Sequence, residues 1–214
     1  MRRPFRDRAH AGEELAALLA AYRGVDGVVL GLPRGGVAVA APIADALGLE
    51  LDAYMVRKLG VPGHEELAMG AIASGGVVVW NDDVLSSLRI SGERRDAVVA
   101  GERTELERRE RAYRGDRPAT PVRGRTMLVI DDGLATGATM NAAVAALRAD
   151  APKAIVVAVP VAPKAAVDAL ADQVEEVVAL LVPDRFGAVG EWYDDFRPTT
   201  DEEVVSLLRS RHRD

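Results

Sequence analysis

The sequence of 214 residues contains no cysteine. Disulfide bonds, thiolate-ligated metals and cysteine nucleophiles are therefore excluded for this chain. No apolar run approaches the roughly 18 residues that a membrane-spanning helix requires. The start of the chain is charged, and the apolar stretch after it is broken by Glu13 and Glu14, so it does not resemble a secretory signal. We therefore expect a cytoplasmic protein with no membrane partner.

Acidic residues outnumber basic ones by 33 to 27, which gives a formal net charge of −6. An acidic chain is a poor general binder of nucleic acid, so we expect no nucleic-acid partner. Hydrophobic residues make up 49% of the chain and charged residues 28%, which is an ordinary globular composition. The length predicts one domain over residues 1–214, with a charged helical excursion at about 82–118 and a C-terminal segment at about 183–214.

Apolar periodicity predicts an alternation of helices and strands. Helices are predicted at residues 8–22, 37–47, 93–114, 137–148 and 164–170, and from Thr200, which forms a capping box with Glu203. Strands are predicted at residues 28–32, 53–56, 126–130, 155–161 and 177–182, with a hairpin that joins 71–73 to 77–80. Buried strands that alternate with helices predict an α/β fold with a mainly parallel sheet flanked by helices.

Residues 93–114 are dense in glutamate and arginine. The pairs Glu105–Arg109 and Glu107–Arg111 are four residues apart, a spacing that stabilises a helix. We interpret this segment as a long, solvated helix with no ligand. An alternative is that its arginines form a basic face; these are Arg94, Arg95, Arg103, Arg108, Arg109 and Arg111.

The strongest chemical signal lies at the end of the predicted strand 126–130. Two adjacent carboxylates, Asp131 and Asp132, are followed by a Thr-Gly-Ala-Thr turn that opens a helix. The amides of a first helical turn have no internal partner, so with the threonine hydroxyls they suit a phosphate group. The carboxylates beside them suit sugar hydroxyls or a hydrated Mg2+. The site is also at the carboxyl end of a strand, where open α/β sheets bind ligands.

This stretch resembles the phosphoribosyl-pyrophosphate motif of type I phosphoribosyltransferases. The resemblance implies that Asp131 and Asp132 hold the ribose hydroxyls and, through water, Mg2+. It implies that the turn binds the 5-phosphate; its residues are Ala135, Thr136, Gly137, Ala138 and Thr139. Members of the family that act on 6-oxopurines carry an aspartate where this chain has Ala135, so a hypoxanthine or guanine acceptor is disfavoured.

Two further pieces carry the resemblance. The run from Gly31 to Gly36 resembles the pyrophosphate loop of the family, which implies that Arg34 contacts pyrophosphate while Gly35 and Gly36 leave backbone amides open. The family often has a cis peptide here, so we expect one near Arg34.

The Arg-Lys-Leu-Gly-Val-Pro-Gly stretch from residue 57 to residue 63 resembles that of adenine phosphoribosyltransferases. It implies that Arg57, with Lys58, acts on pyrophosphate and that the following loop closes over the site.

The tail holds four aromatic residues within eleven positions, although aromatics are only 4% of the chain. They are Phe186, Trp192, Tyr193 and Phe196. One interpretation is an acceptor-binding hood, because a flat base stacks on aromatic faces. The other is that these rings fill an apolar gap where the tail docks on the core. As a whole, the chain resembles a bacterial group of predicted phosphoribosyltransferases that shares the Leu-Pro-Arg-Gly-Gly loop and a Trp-Tyr-x-x-Phe tail.

The resemblance implies a Mg2+-dependent transfer of ribose 5-phosphate from phosphoribosyl pyrophosphate to a nitrogenous base, as in purine salvage. It also implies a homo-oligomer. A regulatory protein that senses phosphoribosyl pyrophosphate without catalysis is the main alternative, since one fold supports several functions. A phosphatase-type aspartate nucleophile is disfavoured, because Gly133 stands where the second aspartate of that motif belongs.

Overall fold

The structure is a computed structural model that describes residues 3–88 and 90–210. Its helices are α1 (Arg8–Leu18), α2 (Gly35–Leu47), α3 (Asp82–Leu88), α4 (Gly92–Arg114), α5 (Ala138–Ala149), α6 (Lys164–Ala171) and α7 (Asp201–Arg209). Its strands are β1 (Gly27–Gly31), β2 (Glu50–Ala53), β3 (Val56–Val61), β4 (His64–Ala73), β5 (Val78–Trp80), β6 (Thr126–Ile130), β7 (Ala154–Val161) and β8 (Glu176–Leu181). None of the helices in the described part of the chain is long and apolar enough to cross a membrane.

Five strands form a parallel sheet in the order β2-β1-β6-β7-β8. The predicted α/β fold with a mainly parallel sheet is therefore confirmed. Strand β1 pairs with β6 from Gly27 opposite Thr126 to Gly31 opposite Ile130, so the two strands end level with each other. This register places the loop after β1 beside Asp131, the residue that follows β6.

Both faces of this sheet are covered by apolar contacts. Along β1, Val29 belongs to one core cluster, and Val28 and Leu30 belong to the other, as the period of two in a strand requires. Helices α1, α2, α4 and α7 contribute to the first cluster, and α5 and α6 contribute to the second. The helix predictions at both faces are thus confirmed, except that the helix predicted at 8–22 ends at Leu18 and is followed by a 3-10 turn at Ala20–Tyr22. The predicted capping box is also present: Thr200 and Glu203 bond to each other's backbone amides.

A second, antiparallel sheet has the order β3-β4-β5. The predicted hairpin around residues 74–76 is confirmed. The predicted strand at 53–56 is wrong, because these residues cross from one sheet to the other: β2 ends at Ala53, and β3 begins at Val56. They form an apolar run because Tyr54 and Met55 are buried at this crossing. The segment after Arg57, expected to be a closing loop, forms the β3–β4 hairpin.

Helix α4 lies close to the predicted bounds, but the expectation that it is solvated is wrong at its C-terminal end. Leu106, Tyr113 and Arg114 are buried. The guanidinium of Arg114 donates from Nε to Asp52 Oδ1 at 2.9 Å, and both side chains are about 5% exposed (6% and 5%). A buried arginine with a buried carboxylate partner fixes the end of α4 against β2.

The two ends of the chain meet. The amide of Phe5 donates to Trp192 O at 3.0 Å, and that of Asp194 donates to Phe5 O at 2.8 Å. Of the predicted C-terminal segment at about 183–214, residues 183–210 are described, and residues 211–214 lie outside the described range. The contact between the chain ends lies directly against the residues that follow β6.

Candidate active site

The loop after β1 packs onto the two carboxylates after β6. Gly35 has no room for a side chain, because a Cβ there would be 2.0 Å from Asp132 Oδ2. A Cβ on Gly36 would be 2.5 Å from Ile130 O. The peptide bond between Pro33 and Arg34 is cis, as the resemblance led us to expect. Glycine at these two positions therefore lets the loop backbone approach the acidic pair at van der Waals distance.

The carboxylates of the acidic pair have different partners. Asp132 Oδ2 accepts from Arg8 Nε at 2.8 Å, with side-chain exposures of 18% for the aspartate and 11% for the arginine. Asp131 Oδ1 accepts from the backbone amide of Asp132 at 2.9 Å. Sequence reasoning missed Arg8, because it lies 124 residues from its partner and belongs to no local motif.

Arg8 is itself held in place by the tail. Its guanidinium carbon lies 4.0 Å from the centroid of the Phe196 ring, a cation–π geometry. Its Nη1 also donates to Arg197 O at 2.8 Å. The tail therefore orients the arginine that pairs with Asp132.

Burial dominates the electrostatics of the acidic pair. Burial, and secondly the neighbouring charge of Asp132, raises the pKa of Asp131 well above its ordinary value. Burial also raises the pKa of Asp132, and the hydrogen bond and charge of Arg8 oppose that rise. Two carboxylates in this setting favour a nearby cation or a hydrogen-bond donor.

The predicted phosphate turn is exposed and open at the N-terminus of α5. Gly137 is the N-cap residue, with φ of 72°, and no side chain caps the helix. The hydroxyl of Thr136 accepts from the amide of Ala138 at 3.4 Å. Ala135 and Thr139 are exposed along with Thr136 and Ala138. Four of the five residues from 135 to 139 are thus exposed, with Gly137 buried between them, and the threonine hydroxyls and first amides of α5 suit an anion site.

Two of the three predicted pyrophosphate-binding side chains share one cavity. Arg34 and Arg57 both line a cavity of about 270 Å3, with Thr139 also in its wall. Arg57 forms an ion pair through Nε with Glu102 of α4. Lys58 does not line this cavity, because successive side chains of a strand point to opposite faces. The structure therefore brings Arg57, and not Lys58, to Arg34.

Of the aromatic residues in the tail, Tyr193 is fully buried, whereas the others are half-buried. Tyr193 is fully buried, with its ring centroid 5.3 Å from Phe5 and 4.9 Å from Phe196. Its hydroxyl donates to Asp132 O at 2.6 Å. The prediction that Tyr193 stacks on an acceptor is wrong, because the ring has no exposed face; the interpretation as core packing applies to it.

Phe186 and Trp192 are half-buried. The indole nitrogen of Trp192 is buried, without a hydrogen-bond partner among the described residues. An acceptor role for these two side chains stays a prediction.

Known proteins resemble this chain over most of its length. Residues 8–190 match the model of the phosphoribosyl transferase domain. The chain is 46% identical over 210 residues to "Putative phosphoribosyl transferase MT0597" of Mycobacterium tuberculosis, and the match covers 98% of this chain and 47% of that protein. It therefore spans about half the length of the curated relatives it matches.

The crystal structure of TT1426 from Thermus thermophilus superposes with a TM-score of 0.85 at 46% identity, and the match covers 98% of this chain and 99% of that one. The chain belongs to the phosphoribosyl transferase family.

Proposed function

We propose that the chain transfers ribose 5-phosphate from phosphoribosyl pyrophosphate to a nitrogenous base and releases pyrophosphate. The observation that carries the proposal is the contact of the glycine loop with the acidic pair, beside an open helix N-terminus. A Cβ at position 35 would lie 2.0 Å from Asp132 Oδ2, so a larger residue there would have to displace the Asp132 carboxylate. The glycine loop matches a diphosphate group, the acidic pair matches a sugar diol, and the helix N-terminus matches a terminal phosphate.

In the proposed reaction, the bond between the anomeric carbon and the pyrophosphate oxygen breaks while a bond to the acceptor nitrogen forms. The acceptor nitrogen loses a proton, and pyrophosphate leaves with the electron pair of the broken bond. Negative charge grows on the leaving group, where Arg34 and Arg57 stabilise it electrostatically. Asp131 and Asp132 orient the ribose hydroxyls, and the amides of residues 135–139 hold the 5-phosphate.

The acidic pair fits Mg2+ by its donor chemistry. Mg2+ commonly binds one or two carboxylates and completes its shell with water and substrate phosphates. Asp131 and Asp132 supply two carboxylates, and no group of three or more metal-ligating side chains occurs among the described residues. When bound, Mg2+ neutralises charge on the diphosphate. One oxygen of each carboxylate already accepts a hydrogen bond, Asp132 Oδ2 from Arg8 and Asp131 Oδ1 from the Asp132 amide, so the second oxygen of each would make the metal contact, through water.

We further propose that Phe186 and Trp192 form part of the acceptor site. Their half-buried rings offer faces on which a planar base can stack. The tail adjoins the acidic pair, because a Cβ on Gly133 would be 2.6 Å from Val189 Cγ1. The acceptor would thus lie on the β7 side of the acidic pair.

The test is calorimetric titration with phosphoribosyl pyrophosphate with and without Mg2+, followed by a pyrophosphate-release assay across nucleobases. We expect Mg2+-dependent binding, and release with one base. Asp131→Asn combined with Asp132→Asn should abolish release, whereas the matched control, Asp82→Asn with Asp83→Asn at the exposed start of α3, should not. Retained turnover in the first variant would contradict the assigned roles. Binding without release for any base would instead favour the regulatory alternative.

A further inference from the structure

Helix α4 contributes to the cavity of about 270 Å3 that Arg34 and Arg57 line. Arg108, Arg109 and Tyr113 of α4 all line it. The segment interpreted from its sequence as a solvated face therefore forms part of the cavity wall.

The charges around this cavity are unbalanced. Arg34, Arg57, Arg108 and Arg109 line it, and Asp201 is the acidic side chain among its lining residues. Asp201 accepts from the Tyr113 hydroxyl at 2.6 Å and lies 4.0 Å from an Arg34 nitrogen. Four arginines therefore line a cavity next to the glycine loop that has one carboxylate in its own lining, and the other carboxylates that pair with them, Glu102 and Glu105, are not among its lining residues.

Glutamates of α4 hold these arginines without using all of their donors. Glu105 accepts from Arg109 Nε at 2.7 Å, and from Arg108 through Nε at 2.7 Å and through Nη2 at 3.0 Å. Glu102 pairs with Arg57 in the same way, through Nε. Among the described residues, none accepts from the terminal nitrogens of Arg109 or Arg57 within the cavity. These nitrogens are the donors that match phosphate oxygens in pairs.

We propose that Arg108 and Arg109 belong to the diphosphate subsite, where they bind the diphosphate group together with Arg34 and Arg57. The inference rests on the proposed function and extends it to a helix outside the three sequence motifs. A diphosphate is the favoured occupant, because it is a compact, multiply charged anion and the cavity adjoins Gly35 and Thr139. The acceptor is disfavoured there, since neither Phe186 nor Trp192 lines the cavity.

The test compares three ligands with three proteins. The ligands are phosphoribosyl pyrophosphate, inorganic pyrophosphate and ribose 5-phosphate, each titrated calorimetrically with Mg2+. The proteins are the wild type, Arg108→Gln with Arg109→Gln, and the control Arg111→Gln, an exposed arginine of α4 that does not line the cavity. We expect the double variant to bind both diphosphate ligands about 10- to 100-fold more weakly. Its affinity for ribose 5-phosphate, and all affinities of the control, should be unchanged.

Each other outcome overturns a defined part of the argument. Wild-type binding of phosphoribosyl pyrophosphate with no loss in the double variant would refute the role of α4 and leave the proposed function intact. A wild type that binds none of the three ligands would refute the proposed function as well. In the pyrophosphate-release assay on the same proteins, a raised KM for the base with unchanged affinity for both diphosphate ligands would place the arginines at the acceptor instead. An equal loss of ribose 5-phosphate affinity would also refute a diphosphate-specific role.

Discussion

In the aromatic tail and in helix α4, the residue types suggest one environment and the structure shows another, in opposite directions. The tail is rich in rings suited to stacking on a base, yet Tyr193, its central ring, is fully buried against Phe5 and Phe196. Helix α4 is rich in charges typical of a solvated face, yet Arg108 and Arg109 line a cavity beside the glycine loop. Residue type therefore predicts what a side chain can bind, and the register of packed elements decides whether it meets a ligand.

The largest expected effect is a loss of stability when Tyr193 in the tail is substituted. Tyr193→Ala removes a fully buried ring and should lower the free energy of unfolding by about 3–5 kcal/mol in urea denaturation. Tyr193→Phe is the matched control: it keeps the ring and loses only the hydrogen bond to Asp132 O, at a cost of about 1 kcal/mol. Unchanged stability of Tyr193→Ala with lost acceptor binding would restore the hood interpretation for this residue.

The next largest effect is a loss of stability when Arg114, at the buried C-terminal end of α4, is substituted. Arg114→Gln leaves Asp52 as a buried carboxylate without its cation, and it also removes the bond to Ala53 O. We expect a loss of about 3 kcal/mol in the free energy of unfolding, the usual cost of breaking a buried pair. Arg111→Gln, three residues earlier and exposed, should change stability by less than about 0.5 kcal/mol. Equal effects of the two variants would contradict a structural role for Arg114.

Local motifs predicted the parts of the candidate site that are contiguous in sequence. The strand before Asp131, the turn at residues 135–139 and the glycine loop depend on short-range patterns, and each lies where its pattern places it. The mainly parallel character of the larger sheet followed from the alternation of apolar strands with helices. These features depend on residues that are near one another in the chain.

The pairings between distant segments could not be predicted. Arg8 lies 124 residues from Asp132, and neither residue carries a local signal of the other. Arg114 and Asp52 meet because α4 packs across β2, which no periodicity reveals. The crossing at residues 53–56 could not be predicted either, because a buried apolar run is equally compatible with one strand or with a passage between two sheets.

A smaller effect, an increase in the free energy of unfolding, is expected when Asp131 of the acidic pair is substituted. Because burial and Asp132 raise the pKa of Asp131, ionising Asp131 disfavours the folded state once the pH exceeds the ordinary aspartate pKa of about 4. Asp131→Asn removes that cost and keeps an acceptor for the Asp132 amide, so it should raise the free energy of unfolding by about 1 kcal/mol at pH 7 in metal-free buffer. The gain should vanish below about pH 4. A loss of stability at pH 7 would show that the Asp131 carboxylate stabilises the fold.

The smallest change in stability is expected for Arg108 and Arg109, the residues whose substitution should weaken diphosphate binding. Arg108 and Arg109 are 66% and 48% exposed, and their pairs with Glu105 are surface ion pairs, which contribute little to folding. Arg108→Gln with Arg109→Gln should therefore change the free energy of unfolding by less than about 0.5 kcal/mol, measured by urea denaturation beside Arg114→Gln. Because all three arginines lie within two turns of the same helix, different helix propensities cannot explain such a contrast. A loss comparable to that of Arg114→Gln would mean that the whole C-terminal half of α4 is structural, and the weaker diphosphate binding would then follow from unfolding of the cavity wall.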